Sequence, residues 1–269
     1  MDNCCCQIRQ EPIHTISCVA YFNSKAKLFS RVKQLRYLIT TNFTNIWGTV
    51  GQSLTTIQKA IKLVWCQQRK DWSEEDWGKI LFTDESMFRE TGSGRRWFIR
   101  YPHEKYKEEF IIQRKQNGGL TVMVWGGFSF ETKTDLYVTE VDTERIDSVM
   151  YSRIIRQYAQ EELIDFDLTL QQDNAPIHTS AYTLRELALM GISVMEWPPH
   201  SPDLNPIEHL WANIKYKLRG LKITDRQSFI DIVRGEWRAY PQDTLKNYIK
   251  SMPQRVQACI DAEGGWFGK

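Results

Sequence analysis

Three acidic residues stand where carboxylates could act together. Asp84 ends the apolar run ILFT, Asp173 ends the run LTLQQ, and Glu208 lies in the first turn of a predicted helix. In α/β proteins, groups at strand ends face the crevice in which ligands bind. Carboxylates about 4 Å apart repel by about 4 kcal/mol per pair at an effective dielectric constant of 20. A hard divalent cation relieves that repulsion, so metal-assisted chemistry is one interpretation of this set.

Each acid also has a purely structural explanation. DES suits the end of a strand, and DNAP, which begins at Asp173, is favourable turn chemistry. If Asn205 is the N-cap and Pro206 the first helical residue, Glu208 occupies the capping-box position and would bond the Asn205 N–H. On a helical wheel Glu208 falls at the edge of the apolar stripe, from which it could also face a strand end. Spacing alone leaves both roles open.

The elements that must position these acids alternate between strands and helices. Strands are predicted at 79–84, 92–100, 120–128 (ended by its glycines), 135–141, 167–173 and 192–197. Helices are predicted at 145–163, 180–191, 206–219, 224–239 and 242–262. This order predicts an α/β domain with a mixed sheet flanked by helices. Ahead of it, 28–38 and 55–69 have the apolar spacing of helices, and Ser73 with Asp76 forms a helix-start signal.

The composition is that of an ordinary soluble chain. Of the 269 residues, 42% are hydrophobic and 25% charged, no apolar run could span a bilayer, and the start lacks a signal-peptide core. Six cysteines form no CxxC pair, which argues against a zinc site and a disulfide framework. Residues 1–70 hold ten Lys/Arg and two acids, whereas the remainder holds 25 and 31. This asymmetry is typical of a nucleic-acid-binding arm on an acidic-site enzyme, although a solvated basic face gives the same count.

Five ordered blocks resemble one family. They are DWSEEDWGKILFTDESMF (71–88), GGLTVMVWGGF (118–128), LQQDNAPIHTS (170–180), WPPHSPDLNPIEHLWANIK (197–215) and MPQRVQACIDAEGG (252–265). In these blocks the chain resembles the catalytic half of a Tc/mariner superfamily transposase, a cut-and-paste enzyme with an Asp-Asp-Glu site. The 34 residues between Asp173 and Glu208 resemble the Tc branch, because the mariner branch proper has Asp at the last position.

The resemblance implies an RNase H-like fold in which the first strand carries Asp84, a later strand Asp173 and a helix Glu208. These three residues carry over as the catalytic residues and as the ligands of two Mg²⁺ or Mn²⁺ ions. Double-stranded DNA would be the partner, the nucleus the location, and a homodimer at paired transposon ends the assembly. Asn174 and His178 lie in a matched block, where they either organise the surroundings of Asp173 or anchor a loop by hydrogen bonding.

Four prolines precede Glu208, at positions 198, 199, 202 and 206. They restrict the backbone of the segment that delivers Glu208 from a strand to a helix. Because a metal ligand must be placed to within a fraction of an ångström, we predict that Glu208 is a ligand and that capping is at most its secondary role.

Residues 1–54 depart from the family pattern. Transposases of this type carry two helix-turn-helix modules before the catalytic domain, and these residues fit neither, so the chain is expected to lack them. The predicted division is a divergent basic segment (1–54), connecting helices that form a helical N-terminal extension (55–78) and the catalytic domain (79–269). The alternative function is an inactive or domesticated transposon-derived DNA-binding protein, and a nuclease of RNA–DNA hybrids is a third interpretation.

Overall fold

The computed structural model describes residues 53–90, 120–139, 145–219, 221, 223 and 225–267. Within them the helices are α1 (Thr56–Gln67), α2 (Glu74–Gly78), α3 (Ser148–Tyr158), α4 (Gln160–Asp165), α5 (Pro176–Thr179), α6 (Ala181–Leu189), α7 (Ile207–Lys217), α8 (Arg226–Arg238), α9 (Gln242–Lys250) and α10 (Met252–Asp261). The strands are β1 (Ile80–Arg89), β2 (Thr121–Phe128), β3 (Tyr137–Val138) and β4 (Thr169–Gln171). None of these helices is long and apolar enough to cross a membrane.

The strands form one mixed sheet in the order β3–β2–β1–β4. The central strand β1 pairs antiparallel with β2 and parallel with β4, so that Phe82 lies opposite both Phe128 and Gln171. A single parallel bridge from Val194 to Leu170 continues the sheet beyond β4. The predicted α/β architecture with a mixed sheet is therefore confirmed.

Helices cover both faces of the sheet, because side chains along β1 alternate between them. Phe82 and Phe88 belong to a core shared with α1, α2, α7, α8, α9 and α10. Leu81, on the opposite face, belongs to a second core shared with α3, α4 and α6. Two layers of helices thus bury the strand that carries the first of the three acids.

The predicted strand 79–84 is longer than expected, since β1 continues to Arg89 and places Asp84 in its middle. The prediction that glycines end the strand at 120–128 is also wrong. Gly126 lies inside β2, opposite Asp84. A Cβ atom at Gly126 would lie 2.8 Å from the ring of Trp237, closer than real carbon contacts. The glycine therefore serves close packing of α8 on the sheet rather than a turn.

The remaining differences lie at the ends and joints of elements. The predicted helix 145–163 is two helices that meet at Ala159, and 242–262 is two helices that meet at Ser251, where Pro253 in the first turn of α10 suits a new helix start. Within the described part of the strand predicted at 135–141, only β3 is extended, and residues 140–141 lie outside the described residues. The strand predicted at 167–173 shortens to β4, and 192–197 keeps only the bridge at Val194. The predicted helix 28–38 and strand 92–100 lie outside the described residues.

Candidate active site

Asp84 lies at the middle of the sheet, on the face that α7 covers. Its side chain lies on the same face of β1 as those of Phe82 and Phe88. The Phe88 ring packs edge-on against that of Trp211 on α7, with 5.9 Å between the ring centroids. Asp84 therefore faces the helix that carries Glu208. The position follows from register within a central strand rather than from a strand end, which corrects the expectation from the sequence.

The surroundings of Asp84 oppose its ionisation. The Asp84 side chain keeps some contact with solvent. Even so, burial among protein atoms is the main cause that raises the pKa of Asp84 well above its usual range. The charges of Glu85, Glu208 and Asp173 raise the pKa of Asp84 further. Asp84 thus lies within electrostatic reach of three other carboxylates, the environment in which a cation is favoured.

Asp173 follows β4 by two residues and is held by local hydrogen bonds. Its Oδ1 accepts from the Ala175 N–H at 2.8 Å and lies 2.6 Å from Nδ1 of His178. Burial opposes ionisation of Asp173, but these hydrogen bonds outweigh it and lower the pKa below the usual value. The predicted turn chemistry of DNAP is thus present, as the bond from the Ala175 N–H to the Asp173 side chain.

His178 connects Asp173 to a fourth acid. Its other ring nitrogen, Nε2, lies 3.2 Å from Oε1 of Glu85, and its ring centroid lies 4.2 Å from that of Tyr151. Burial disfavours the charged imidazole, but the two carboxylates outweigh burial and raise the pKa of His178 to about 9. His178 is therefore a cation at neutral pH that bridges Asp173 and Glu85.

Asn174 anchors the loop instead of contacting Asp173. Its Nδ2 donates to the main-chain carbonyl of Trp197 at 2.8 Å. Of the two interpretations open for Asn174 and His178, the loop anchor describes Asn174, whereas His178 organises the surroundings of Asp173. The sequence does not single out Glu85, although it follows Asp84 directly, because neighbours on a strand point to opposite faces and are not expected to share a site.

Glu208 lies in the first turn of α7 and is half-buried. The helix begins at Ile207, one residue later than predicted, and Oδ1 of Asn205 accepts from the Ile207 N–H at 3.3 Å. The Asn205 N–H donates to the Pro202 carbonyl rather than to Glu208, so the capping-box bond is absent. Asn205 therefore supplies the side-chain cap itself, which leaves the Glu208 carboxylate available for another role.

The start of α7 is fixed against β1. Nδ2 of Asn205 donates to the Thr83 carbonyl at 3.1 Å, one residue from Asp84. Thr83 in turn bonds β4, since its Oγ1 donates to the Gln171 carbonyl at 2.6 Å. A chain of hydrogen bonds thus links the three segments that carry the acids.

A buried ion pair holds the proline-rich segment from the other side. Nζ of Lys62, on α1, lies 2.7 and 2.6 Å from the two carboxylate oxygens of Asp203, and both side chains are buried. The Arg255 guanidinium donates to the Asp203 carbonyl at 2.7 Å. The segment before Glu208 is therefore clamped by the sheet, α1 and α10.

The acids form an electrostatic cluster but not a closed ligand set. Across the described residues, no three His, Cys, Asp or Glu side chains are assembled closely enough to hold one metal ion as they stand. Oδ1 of Asp173 is instead engaged with the Ala175 N–H and the His178 ring. The donor chemistry still fits a hard divalent ion, since Asp84 lies within electrostatic reach of three further carboxylates, whose oxygens are the ligands such ions prefer.

Comparison with known proteins identifies the family. Residues 79–230 match the model of the DDE superfamily endonucleases. The chain is 32% identical over 221 residues to the Tcb2 transposase of Caenorhabditis briggsae, covering 79% of this chain and 78% of that protein. It is 31% identical over 212 residues to the Tc1 transposase of Caenorhabditis elegans, covering 76% of this chain and 75% of that protein. The chain belongs to the Tc/mariner transposases. The resemblance seen in the five sequence blocks is confirmed.

Solved structures share the fold of this transposase. The Mos1 mariner paired-end complex with Mn superposes with a TM-score of 0.70 at 15% identity, covering 99% of this chain and 83% of that one. The catalytic domain of Mos1 superposes with a TM-score of 0.63 at 16% identity, covering 82% of this chain and all of that one. The expected RNase H-like fold is confirmed, and the chain carries a DDE transposase catalytic domain.

Proposed function

We propose that this transposase domain cleaves DNA phosphodiesters and joins the liberated ends, with Asp84, Asp173 and Glu208 as its metal ligands. Asp84 carries the proposal, because its pKa is raised by burial and by three neighbouring carboxylates in the middle of the sheet. Groups with strongly shifted pKa values are frequent at functional sites. A cation bound there would favour the ionised form of the carboxylates. Mos1 structures have been determined with Mn and with Mg, which supports a divalent ion here.

The proposed roles follow from where the residues lie. Two Mg²⁺ or Mn²⁺ ions bound by the acids would stabilise the attacking and leaving oxygens of an in-line phosphodiester displacement. Asp84 would supply the buried ligand on the rigid strand, and Glu208 the ligand on the clamped helix. His178 and Glu85 would hold Asp173 near the site until it turns toward the cation. Mos1 also occurs in a strand transfer complex, which supports duplex DNA as the substrate; a homodimer and a nuclear location stay predictions.

Supercoiled DNA nicking tests the proposal directly. With Mn²⁺, the natural chain should nick the plasmid, whereas Asp84→Asn, Asp173→Asn and Glu208→Gln should each lower the rate by at least about 100-fold, as expected when a transition-state charge loses its stabilisation. Asp243→Asn, an exposed acid on α9, is the matched control and should retain full activity. Nicking that survives in Asp173→Asn would refute the assignment, and absence of nicking in the natural chain would favour the domesticated DNA-binding alternative.

A further inference from the structure

A groove beside the acid cluster has a basic lining that the catalytic assignment does not use. It has a volume of about 410 Å³ and lies between the end of β1 and the second half of α7. Its described lining contains three basic residues, Arg89, Lys215 and Arg219, and no acid. We call these three residues with the space between them the basic groove.

The bases of the groove are not neutralised by neighbouring acids. In the part of the chain that the structure describes, none of the three is within ion-pair distance of a carboxylate. Lys217, on the same helix, contrasts with them, since its Nζ lies 2.8 Å from Glu236. The side chains are instead supported by apolar contacts: Nζ of Lys215 lies 5.4 Å from the Phe88 ring centroid. Cations supported in this way keep their charge available for an anionic ligand.

The groove and the two acids lie on the same elements, since β1 carries Asp84 and Arg89 and α7 carries Glu208 and Lys215. Burial lowers the pKa of Lys215, while the charges of Glu208 and Asp84 raise it, so both acids lie within electrostatic reach of this ammonium group. Lys215 lies in the last turn of α7 and Arg219 follows the end of that helix by two residues, and both side chains line the groove. The basic residues therefore lie farther along the same strand and helix than the two acids.

Resting on the proposed function, we propose that the basic groove binds the sugar-phosphate backbone of the DNA strand whose reacting phosphate lies at Asp84 and Glu208. A polyanion that approaches an acid cluster is repelled, and cations beside the cluster offset that repulsion without occupying the site. Backbone contacts of this kind position a strand and carry no sequence information. The ligand class is thus nucleic-acid phosphate, read by charge.

DNA binding without metal tests this proposal separately from catalysis. We would titrate a 20-base-pair duplex into the full chain in EDTA, at 50–200 mM salt, and follow fluorescence anisotropy. Lys215→Gln/Arg219→Gln should weaken binding by at least about tenfold and lower the salt slope by about 2, or 0.9 per lost phosphate contact. Arg89→Gln should lower the slope by about 1. The matched control is Arg153→Gln/Arg185→Gln, the same charge change on α3 and α6, which cover the opposite face of the sheet.

The outcomes separate the two proposals. Affinity and slope equal to those of the natural chain, or equal losses in the control pair, would overturn the basic groove. Lys215→Met keeps the apolar stem that packs on Phe88 but removes the charge, so it should weaken binding as much as Lys215→Gln alone. If Lys215→Met binds DNA normally, packing rather than charge explains the loss in the Gln variants, and the basic groove is again refuted. Because EDTA excludes catalysis, these results do not depend on nicking, whose loss in Asp173→Asn tests the proposed function alone.

Discussion

His178 joins Glu85 and Asp173, two carboxylates that lie far apart in the sequence. Asp84 and Glu85 are neighbours on β1 and point to opposite faces of the strand. Glu85 reaches His178, and His178 reaches Asp173, at 3.2 and 2.6 Å. Asp84 therefore faces the proposed metal site directly, whereas Glu85 acts on that site through the His178 ring. The two faces of a single strand thus contribute to one cluster.

Glu85→Gln should lower the pKa of His178. The natural value is raised to about 9 although burial opposes it, because Asp173 and Glu85 both stabilise the cation. With one carboxylate removed, we expect a fall of one unit or more toward the unperturbed value of about 6.5. An NMR titration of the His178 ring in EDTA measures it. Glu186→Gln, which removes the half-buried partner of the exposed Arg156, should leave the titration unchanged. A His178 pKa that stays near 9 in Glu85→Gln would show that Glu85 does not stabilise the cation.

The three acids were predictable from sequence, whereas their partners were not. Asp84, Asp173 and Glu208 follow from motif blocks and spacing, which a sequence displays directly. Glu85 contacts His178 across 93 positions, and no local pattern encodes that distance. That Glu208 forms no capping-box bond is likewise visible only in the structure, where the Asn205 N–H donates to the Pro202 carbonyl; its role as a ligand stays a prediction.

At the scale of elements, the proline-rich segment is fixed by bonds from three other elements. Lys62 on α1 pairs with the Asp203 side chain, Arg255 on α10 bonds its carbonyl, and Asn205 bonds β1. A buried ion pair is weak support for stability, because desolvation offsets its attraction, but it specifies one geometry. The prolines limit the backbone and the ion pair selects its position, so that Glu208 is delivered to the face that carries Asp84.

Removing one partner of the Lys62–Asp203 pair should cost more than removing both. Lys62→Met leaves a buried carboxylate uncompensated, and we expect a loss of about 3–5 kcal/mol in the free energy of unfolding. The double variant Lys62→Met/Asp203→Leu should recover most of this loss. Urea unfolding of the natural chain, both single variants and the double variant gives the coupling energy. Additive losses would mean that the two side chains do not interact, contrary to their 2.6 Å separation.

Element types were predictable where packing supports local preference, and boundaries were not. The helix-start signal of Ser73 and Asp76 forms a complete capping box, as predicted. The extension of β1 to Arg89 follows from its long pairing with β2, which its own polar residues do not indicate. Gly126 lies inside β2 rather than at its end, and the close approach of Trp237 that requires a glycine there is a tertiary contact, which the local sequence does not indicate.

At the scale of the whole molecule, the fold holds like charges together. The sheet lies between two apolar cores, and Asp84 at its centre cannot move away from Glu208 and Asp173 without disrupting them. Because the folded pKa of Asp84 is raised, the folded state binds a proton more tightly than the unfolded state. Its contribution to stability is therefore greatest in acid, below the unfolded value, and is lost as the pH rises through the folded value.

The effect of Asp84→Asn on the free energy of unfolding should therefore change sign when metal is added. The fold disfavours ionisation of Asp84, a cost that the variant does not carry, so in EDTA at pH 7 the variant should be more stable by on the order of 1 kcal/mol, or 2–4 °C in the unfolding midpoint. With Mn²⁺ at tenfold above its Kd, binding should stabilise the natural chain by about 1.4 kcal/mol and the variant far less, because a ligand is missing. Thermal unfolding of both proteins in both buffers measures the reversal, with Asp243→Asn expected to follow the natural chain. If Mn²⁺ raises the midpoint of the variant as much as that of the natural chain, Asp84 is not a ligand; if the variant is less stable in EDTA, the repulsion that motivates the site is absent.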